Sequence, residues 1–134
     1  MVLNNPLILI TDDDRDFRET LREVFEPRGF RTLLAGDGEQ ALQIVQSQQI
    51  HVALLDMHMP RLTGLETMRR VKQLYAVLPC ILLSAQMDDA LAQAAEQAEA
   101  FSYLSKPVSF REIIGIVYQA MQVTYGWSQG DPLG

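Results

Sequence analysis

Polar side chains with the chemistry of a phosphoryl site stand at the ends of four short apolar runs in this chain. In chain order they are Asp12 with Asp13, then Asp56, Ser84 and Lys106. Parallel strands bring their carboxyl ends to one edge of a sheet. If the apolar runs are such strands, residues spread over more than 90 positions of the sequence share one pocket.

Three carboxylates at that edge predict a site for a divalent cation. If Asp12, Asp13 and Asp56 lie within about 5 Å of one another, each pair repels by about 3 kcal/mol at an effective dielectric constant near 20. A hard cation offsets this repulsion. Mg²⁺ is usually held by one or two carboxylates together with water and phosphate oxygens, so the residue types predict a site for Mg²⁺ and a phosphoryl group.

A carboxylate can also accept the phosphoryl group, forming an aspartyl phosphate whose charge then needs a cation and hydrogen-bond donors. Lys106 and Ser84 would supply both. Each residue alone also has a simpler interpretation: an aspartate at a strand end as a helix cap, Ser84 as a turn former, Lys106 as a solvated charge. Their joint placement favours the phosphoryl site.

Composition limits the class of protein. The 134 residues are 48% hydrophobic, which suits one globular domain with its own core. No segment resembles a membrane span or a signal peptide, so we expect a cytoplasmic protein without a membrane partner. The formal charge of −6 opposes direct binding of nucleic acid, which depends on neutralising phosphates with Lys and Arg.

Strand-like and helix-like segments alternate along the chain, which predicts an α/β fold of five βα units around a parallel sheet. The predicted strands are 7–11, 30–35, 52–55, 80–83 and 101–104. The predicted helices are 15–26, one capped at Asp37 and running through 41–45, 63–75, 88–98, and one from a cap at Ser109 through Met121. We expect an N-terminal extension at 1–6, a single domain at 7–123, and a tail or the start of a linker at 124–134.

Four segments together resemble the receiver domain of two-component response regulators. They are 7–14 (LILITDDD), 54–60 (LLDMHMP) followed by Gly64, 82–85 (LLSA) and 103–107 (YLSKP). The resemblance implies a CheY-like, flavodoxin-like doubly wound sheet with strand order 2-1-3-4-5. It also implies a cis peptide bond between Lys106 and Pro107, whereas Glu99 stands where the family usually has glycine.

By the same resemblance, Asp56 is the phosphoacceptor. It would receive the phosphoryl group from a phosphohistidine on a sensor histidine kinase or a phosphotransfer protein. The implied cofactor is Mg²⁺, bound by Asp56, directly by Asp13, largely through water by Asp12, and by the backbone carbonyl of His58.

The resemblance further implies a conformational switch. Ser84 would bond one phosphoryl oxygen and Lys106 another, and Tyr103 would swing into the space that Ser84 vacates. The face made by the fourth helix, fifth strand and fifth helix would change shape, signalling to a partner or output domain, and could pair two copies as a homodimer. His58 and Gln86 occupy positions that modulate the lifetime of the phosphoryl group.

Two alternatives stay open at this point. The run Asp12-Asp13-Asp14 also satisfies the Asp-x-Asp signature of haloacid dehalogenase-like phosphatases, with Asp12 as nucleophile and Asp14 as general acid. That fold needs a further acidic pair after Lys106, which the sequence lacks, and it leaves Asp56 without a role. A receiver that has lost phosphorylation and acts only through contacts is disfavoured, because every phosphorylation residue is present.

Overall fold

The computed structural model, which describes residues 3–128, contains one five-stranded parallel sheet in the predicted order 2-1-3-4-5. The strands are β1 (Leu7–Thr11), β2 (Arg31–Ala35), β3 (Val52–Asp56), β4 (Cys80–Ser84) and β5 (Ser102–Ser105). The helices are α1 (Arg15–Phe25), α2 (Gly38–Ser47), α3 (Gly64–Leu74), α4 (Asp89–Gln97) and α5 (Phe110–Tyr125). The predicted fold class is therefore confirmed.

Helices cover both faces of the sheet. Alternate residues of a strand point to opposite faces, so in β1 Ile8 and Ile10 pack on α1 and α5, whereas Leu9 packs on α2 and α3. Strands β1, β3 and β4 are buried along their whole length. This explains why they are continuous apolar runs, since a strand covered on both sides has no solvent-facing position.

Each helix begins after a residue whose side chain accepts a hydrogen bond from the first turn. The capping residues are Asp14, Asp37, Thr63, Asp88 and Ser109. A side-chain cap typically contributes about 1 kcal/mol. Because three of these caps follow β1, β3 and β4 by a few residues, they also fix the short loops that carry the candidate site.

Helix α1 ends within one residue of its predicted end, whereas α5 runs past the predicted end of the domain. Pro27 converts the end of α1 into a 3-10 turn at Glu26–Arg28, which Gly29 closes with φ 92°. Helix α5 continues to Tyr125, beyond the predicted domain end at 123, and stops where Gly126 adopts φ 69°. A left-handed residue ends a helix, and glycine adopts that conformation without steric cost.

Part of the predicted tail is packed. The Trp127 ring lies 5.0 Å from the ring of Phe30 and 6.0 Å from that of Tyr118, so this tryptophan is partly buried and packs against the hydrophobic core beneath α1 and α5. Residues 1, 2 and 129–134 of the predicted extension and tail lie outside the described residues.

Two local features next to β5 match the resemblance. The Lys106–Pro107 peptide bond is cis, as expected. Glu99, in the loop before β5, has φ 65°, the left-handed conformation that a glycine would adopt more readily. Among the described helices, none combines the length and the apolar character that a membrane crossing requires.

His51 ties three elements together at the edge of the sheet opposite the candidate site. Its Nδ1 accepts a hydrogen bond of 3.0 Å from the backbone N–H of Leu7. Its carbonyl oxygen accepts one of 2.7 Å from the Tyr125 hydroxyl at the end of α5. Burial, and secondly the charge of Arg31, lower the pKa of His51 below its usual value.

The hydrogen bond from the Leu7 N–H to His51 Nδ1 predicts that the free energy of unfolding decreases at low pH. The folded state disfavours protonated His51, so the stabilisation is complete above the ordinary histidine pKa of about 6.5 and is lost as pH falls below it. His51→Asn keeps an acceptor for Leu7 and does not titrate. In urea unfolding at pH 7, 6 and 5, we expect wild type to lose more stability than His51→Asn; parallel curves would contradict this assignment.

Candidate functional site

The ends of neighbouring strands bring the predicted site residues to one edge of the sheet. Because β1 pairs with β3 and β3 with β4, Asp12, Asp56 and Ser84 follow or end adjacent strands. The backbone N–H of Lys106 donates to the carbonyl oxygen of Ser84 at 2.8 Å, which continues the sheet pairing one step past β5. Asp12, Asp56 and Ser84 are all buried.

Asp12, Asp13 and Asp56 form an acidic cluster at this edge. One carboxylate oxygen from each lies within 4.8 Å of the others; Asp12 and Asp56 are buried and Asp13 is exposed. Burial, and secondly the negative charge of Asp12, raise the pKa of Asp56 against the opposing effect of Lys106. The cluster holds more negative charge than its protein neighbours neutralise, a condition that favours binding of a divalent cation.

Lys106 bridges the two buried carboxylates. Its Nζ lies 2.9 Å from Oδ2 of Asp12 and 3.3 Å from Oδ1 of Asp56, and 4.6 Å from the centroid of the Phe17 ring. Burial by itself would lower the Lys106 pKa. The hydrogen bond and charge of Asp12, together with Asp56, outweigh burial and raise the pKa, so the side chain presents a positive charge next to Asp56.

Ser84 is held by two hydrogen bonds that involve its hydroxyl oxygen. The oxygen accepts a bond of 3.0 Å from the backbone N–H of Gln86 and is 3.1 Å from Nε2 of His58. Sequence reasoning placed His58 and Gln86 near the site but did not find the bond between His58 and Ser84. No sequence signal would have found it, since it depends on the side-chain conformation of an exposed loop residue.

Tyr103 points its hydroxyl group toward α4. The hydroxyl donates a hydrogen bond of 2.8 Å to a carboxylate oxygen of Glu96, and the ring packs partly against the core on the α2–α4 side of the sheet. This hydrogen bond is the main cause that raises the Tyr103 pKa. Tyr103 is the aromatic residue predicted to swing inward during switching. Its hydrogen bond to Glu96 therefore ties it to α4, and this bond would have to break before the side chain could move.

Arg18, which the sequence analysis did not single out, and Gly64, which it named only as part of a motif, support the site. Arg18, on α1, donates from Nη1 to the carbonyl oxygen of Asp12 at 2.7 Å and so fixes the loop that carries the acidic pair. Gly64, the first residue of α3, donates its N–H to the Met57 carbonyl at 3.0 Å. A Cβ on Gly64 would lie 2.2 Å from the carbonyl oxygen of Asp56, so only glycine allows α3 to start this close to the acidic site.

An open cleft lies beside the cluster. Its volume is about 550 Å³. Its walls come from the start of α1, the loop after β4 and the loop after β5, and the lining residues are Asp14, Phe17, Ala85, Lys106, Pro107 and Val108. A donor group could therefore approach Lys106 from solvent.

Comparison with known proteins identifies the family. The sequence profile of the response regulator receiver domain matches residues 8–118. The chain belongs to this family. It is thus a two-component signalling domain, and the family predicted from its sequence motifs is confirmed.

Two curated relatives of this receiver are response regulators. It is 33% identical over 122 residues to the transcriptional regulatory protein CpxR of Escherichia coli (strain K12), covering 91% of this chain and 51% of CpxR. It is 37% identical over 107 residues to the response regulator MprA of Mycolicibacterium vanbaalenii, covering 80% of this chain and 46% of MprA. The chain spans about half the length of these relatives.

A solved receiver structure shares the fold closely. The signal receiver domain of an HD domain-containing protein from Pseudomonas fluorescens Pf-5 superposes with a TM-score of 0.85 at 27% identity, covering 92% of this chain and 99% of that one. The phosphatase alternative is not favoured. Consistent with this, the Asp14 carboxylate that it requires as general acid caps α1, accepting from the N–H groups of Asp16 and Phe17.

Proposed function

We propose that this receiver accepts a phosphoryl group on Asp56 in a Mg²⁺-dependent reaction, from a phosphohistidine of a sensor histidine kinase or a phosphotransfer protein. The observation that carries the proposal is the position of Asp56. It is a buried carboxylate beside Asp12, and Lys106 lies within 3.3 Å of its oxygen. An acceptor carboxylate needs such positive charge nearby, because negative charge develops on the phosphoryl oxygens during transfer.

The transfer itself is a displacement at phosphorus. A carboxylate oxygen of Asp56 forms the new bond to phosphorus while the phosphorus–nitrogen bond of the phosphohistidine breaks, and the donor imidazole leaves with the electron pair of that bond. Lys106 can then exchange its contact with Asp56 for one with a phosphoryl oxygen, and Ser84 can donate to another. Ser84 ends β4 and Lys106 directly follows β5, so both stand at the same edge of the sheet as Asp56 and neither has to cross the sheet.

The residues at the acidic cluster fit Mg²⁺. The metal would be held by Asp13 and Asp56, by the His58 carbonyl, and by Asp12 largely through water. Bound Mg²⁺ would neutralise charge on the carboxylates and on the transferred group. All of these donor atoms are oxygens. One carboxylate oxygen from each of the three aspartates already lies within 4.8 Å of the others, so they could bind one ion without a rearrangement of the backbone.

Phosphorylation would switch the surface formed by α4, β5 and α5. Ser84 moves toward the phosphoryl group, and Tyr103 leaves Glu96 to occupy the space that Ser84 vacates. The receiver would populate a resting and a switched conformation. The change in their populations on phosphorylation depends on how much more strongly the phosphoryl group is bound in the switched conformation than in the resting one. The switched surface would then contact a partner, an output domain or a second copy of this chain, in the cytoplasm and without direct contact to nucleic acid or membrane.

The test is phosphorylation by acetyl phosphate with Mg²⁺, followed by intact mass. We expect an adduct in wild type, none in Asp56→Asn, and a retained adduct in Asp12→Asn. If the adduct instead disappeared only in Asp12→Asn, the phosphatase mechanism would be correct and the receiver mechanism wrong. A circular dichroism spectrum of each variant controls for folding.

A further inference from the structure

The hydroxyl oxygen of Ser84 is held between two loops. Gln86, in the loop that follows Ser84, donates from its backbone N–H at 3.0 Å. His58 reaches Ser84 from the loop after β3, with 3.1 Å between Nε2 and Oγ. Among the described residues, His58 provides the only side-chain hydrogen bond to Ser84.

The bond between His58 and Ser84 opposes the movement that the proposed function requires. A serine hydroxyl has one proton to donate. Whichever of the two atoms donates, the bond fixes Oγ next to the imidazole. Movement of Ser84 toward a phosphoryl oxygen on Asp56 would stretch this bond, so the imidazole and the phosphoryl group would compete for the same hydroxyl.

We propose that His58 is a positioning residue that holds Ser84 in the resting arrangement and thereby sets how readily the receiver switches. The inference rests on the proposed function. It assigns the His58 side chain a role in the unphosphorylated protein, distinct from the metal ligation by its backbone carbonyl and from any effect on an attacking water after phosphorylation.

The position of His58 strengthens this assignment. The residue lies two positions after Asp56, so the loop that directly follows the phosphoacceptor carries the group that holds Ser84. The imidazole is on an exposed loop while Ser84 is fully buried. Removing the imidazole would therefore free the hydroxyl without opening a cavity in the core.

The expected change in affinity on removing the His58 imidazole follows from linkage between phosphoryl binding and the movement of Ser84. The apparent affinity for a phosphoryl group falls in proportion to the fraction of molecules that can bind it. A neutral hydrogen bond changes such an equilibrium by roughly 2- to 10-fold. We therefore expect His58→Ala to bind beryllofluoride, a phosphoryl mimic, about 3- to 10-fold more tightly than wild type, and His58→Gln, which keeps an amide within reach of Ser84, to return toward wild type.

The experiment is a titration of the ¹⁵N-labelled full chain with beryllofluoride in the presence of Mg²⁺, followed by amide spectra. A double-mutant cycle with Ser84→Ala separates an action through Ser84 from a direct one. In the Ser84→Ala background, His58→Ala is expected to leave the affinity unchanged. Equal affinity of wild type and His58→Ala, or an effect of His58→Ala that persists without the Ser84 hydroxyl, would overturn the proposal.

A second measurement, the chemical shift of the Gln86 amide proton, needs no ligand. The Gln86 amide proton is bonded to Ser84, so its chemical shift in the free protein should move in His58→Ala toward the beryllofluoride-bound position and return in His58→Gln. If wild type took up neither acetyl phosphate nor beryllofluoride, the proposed function would fail. The ligand-free shift would still decide whether His58 holds Ser84, and an unmoved Gln86 amide would count against it.

Discussion

Replacing Asp13 by Asn is expected to slow phosphorylation of the receiver by acetyl phosphate on the order of 100-fold, and removing Mg²⁺ with EDTA should have at least this effect. Asp13 is the exposed member of the acidic cluster and has no ion pair among the described residues, whereas Asp12 and Asp56 share Lys106. Its charge is thus available to a metal. Loss of about 3 kcal/mol of electrostatic stabilisation in the transition state corresponds to this change in rate.

Asp14→Asn is the matched control. The side chain of Asp14 caps α1, and asparagine caps a helix about as well as aspartate. We expect this variant to be phosphorylated within about 2-fold of the wild-type rate, in keeping with a role confined to capping. Adduct formation that survived EDTA, or that was lost in Asp14→Asn but not in Asp13→Asn, would contradict the assignment of the metal ligands.

Replacing Gly64 by Ala is expected to damage both the stability of the receiver and its phosphorylation. The added methyl group would lie 2.2 Å from the carbonyl oxygen of Asp56, 2.7 Å from its carbonyl carbon and 2.9 Å from Cδ1 of Leu82. The first two neighbours are backbone atoms and cannot rotate away, so the start of α3 and the end of β3 must separate. We expect a loss of about 2–3 kcal/mol in the free energy of unfolding.

The effect of Gly64→Ala on chemistry should exceed its effect on folding. Displacing Asp56 by about 1 Å from Lys106 and the metal ligands is expected to slow adduct formation on the order of 100-fold, even under conditions where the variant is fully folded. Urea unfolding and intact mass measure the two effects separately. A variant as stable and as readily phosphorylated as wild type would show that α3 does not constrain the phosphoacceptor.

Gly115→Ala provides the control for this substitution. Gly115 lies on the exposed side of α5, and a Cβ there would meet nothing within 4 Å. Alanine has the higher helix propensity, so this variant is expected to gain about 0.5–1 kcal/mol. The two substitutions change the same atoms and differ only in what surrounds them.

The fold and the composition of the site could be predicted from the sequence because both depend on local patterns. The apolar runs β1, β3 and β4 are long enough for strands, and Asp37, Thr63, Asp88 and Ser109 are residues that cap helices through their own side chains. Strand ends in a parallel sheet meet at one edge whatever the details of packing. The convergence of Asp12, Asp56, Ser84 and Lys106 therefore followed from the order of elements.

Boundaries were less predictable, because tertiary contacts decide them. The domain was expected to end at 123, but α5 reaches Tyr125, where the hydroxyl contacts the carbonyl of His51. Trp127 was expected to belong to a tail but packs on Phe30. Both contacts join positions more than 70 residues apart in the chain, and no local propensity reports them.

The sequence by itself determined which chemical groups the receiver has and at which edge of the sheet they lie. Only the tertiary structure decided how they are held: Lys106 between Asp12 and Asp56, His58 on Ser84, Tyr103 on Glu96, and α3 against the phosphoacceptor at Gly64. The physical reason is that residue type and strand order fix the backbone edge. Hydrogen bonds between loops depend instead on side-chain conformations and on distances of a few tenths of an ångström, which packing of the whole domain sets.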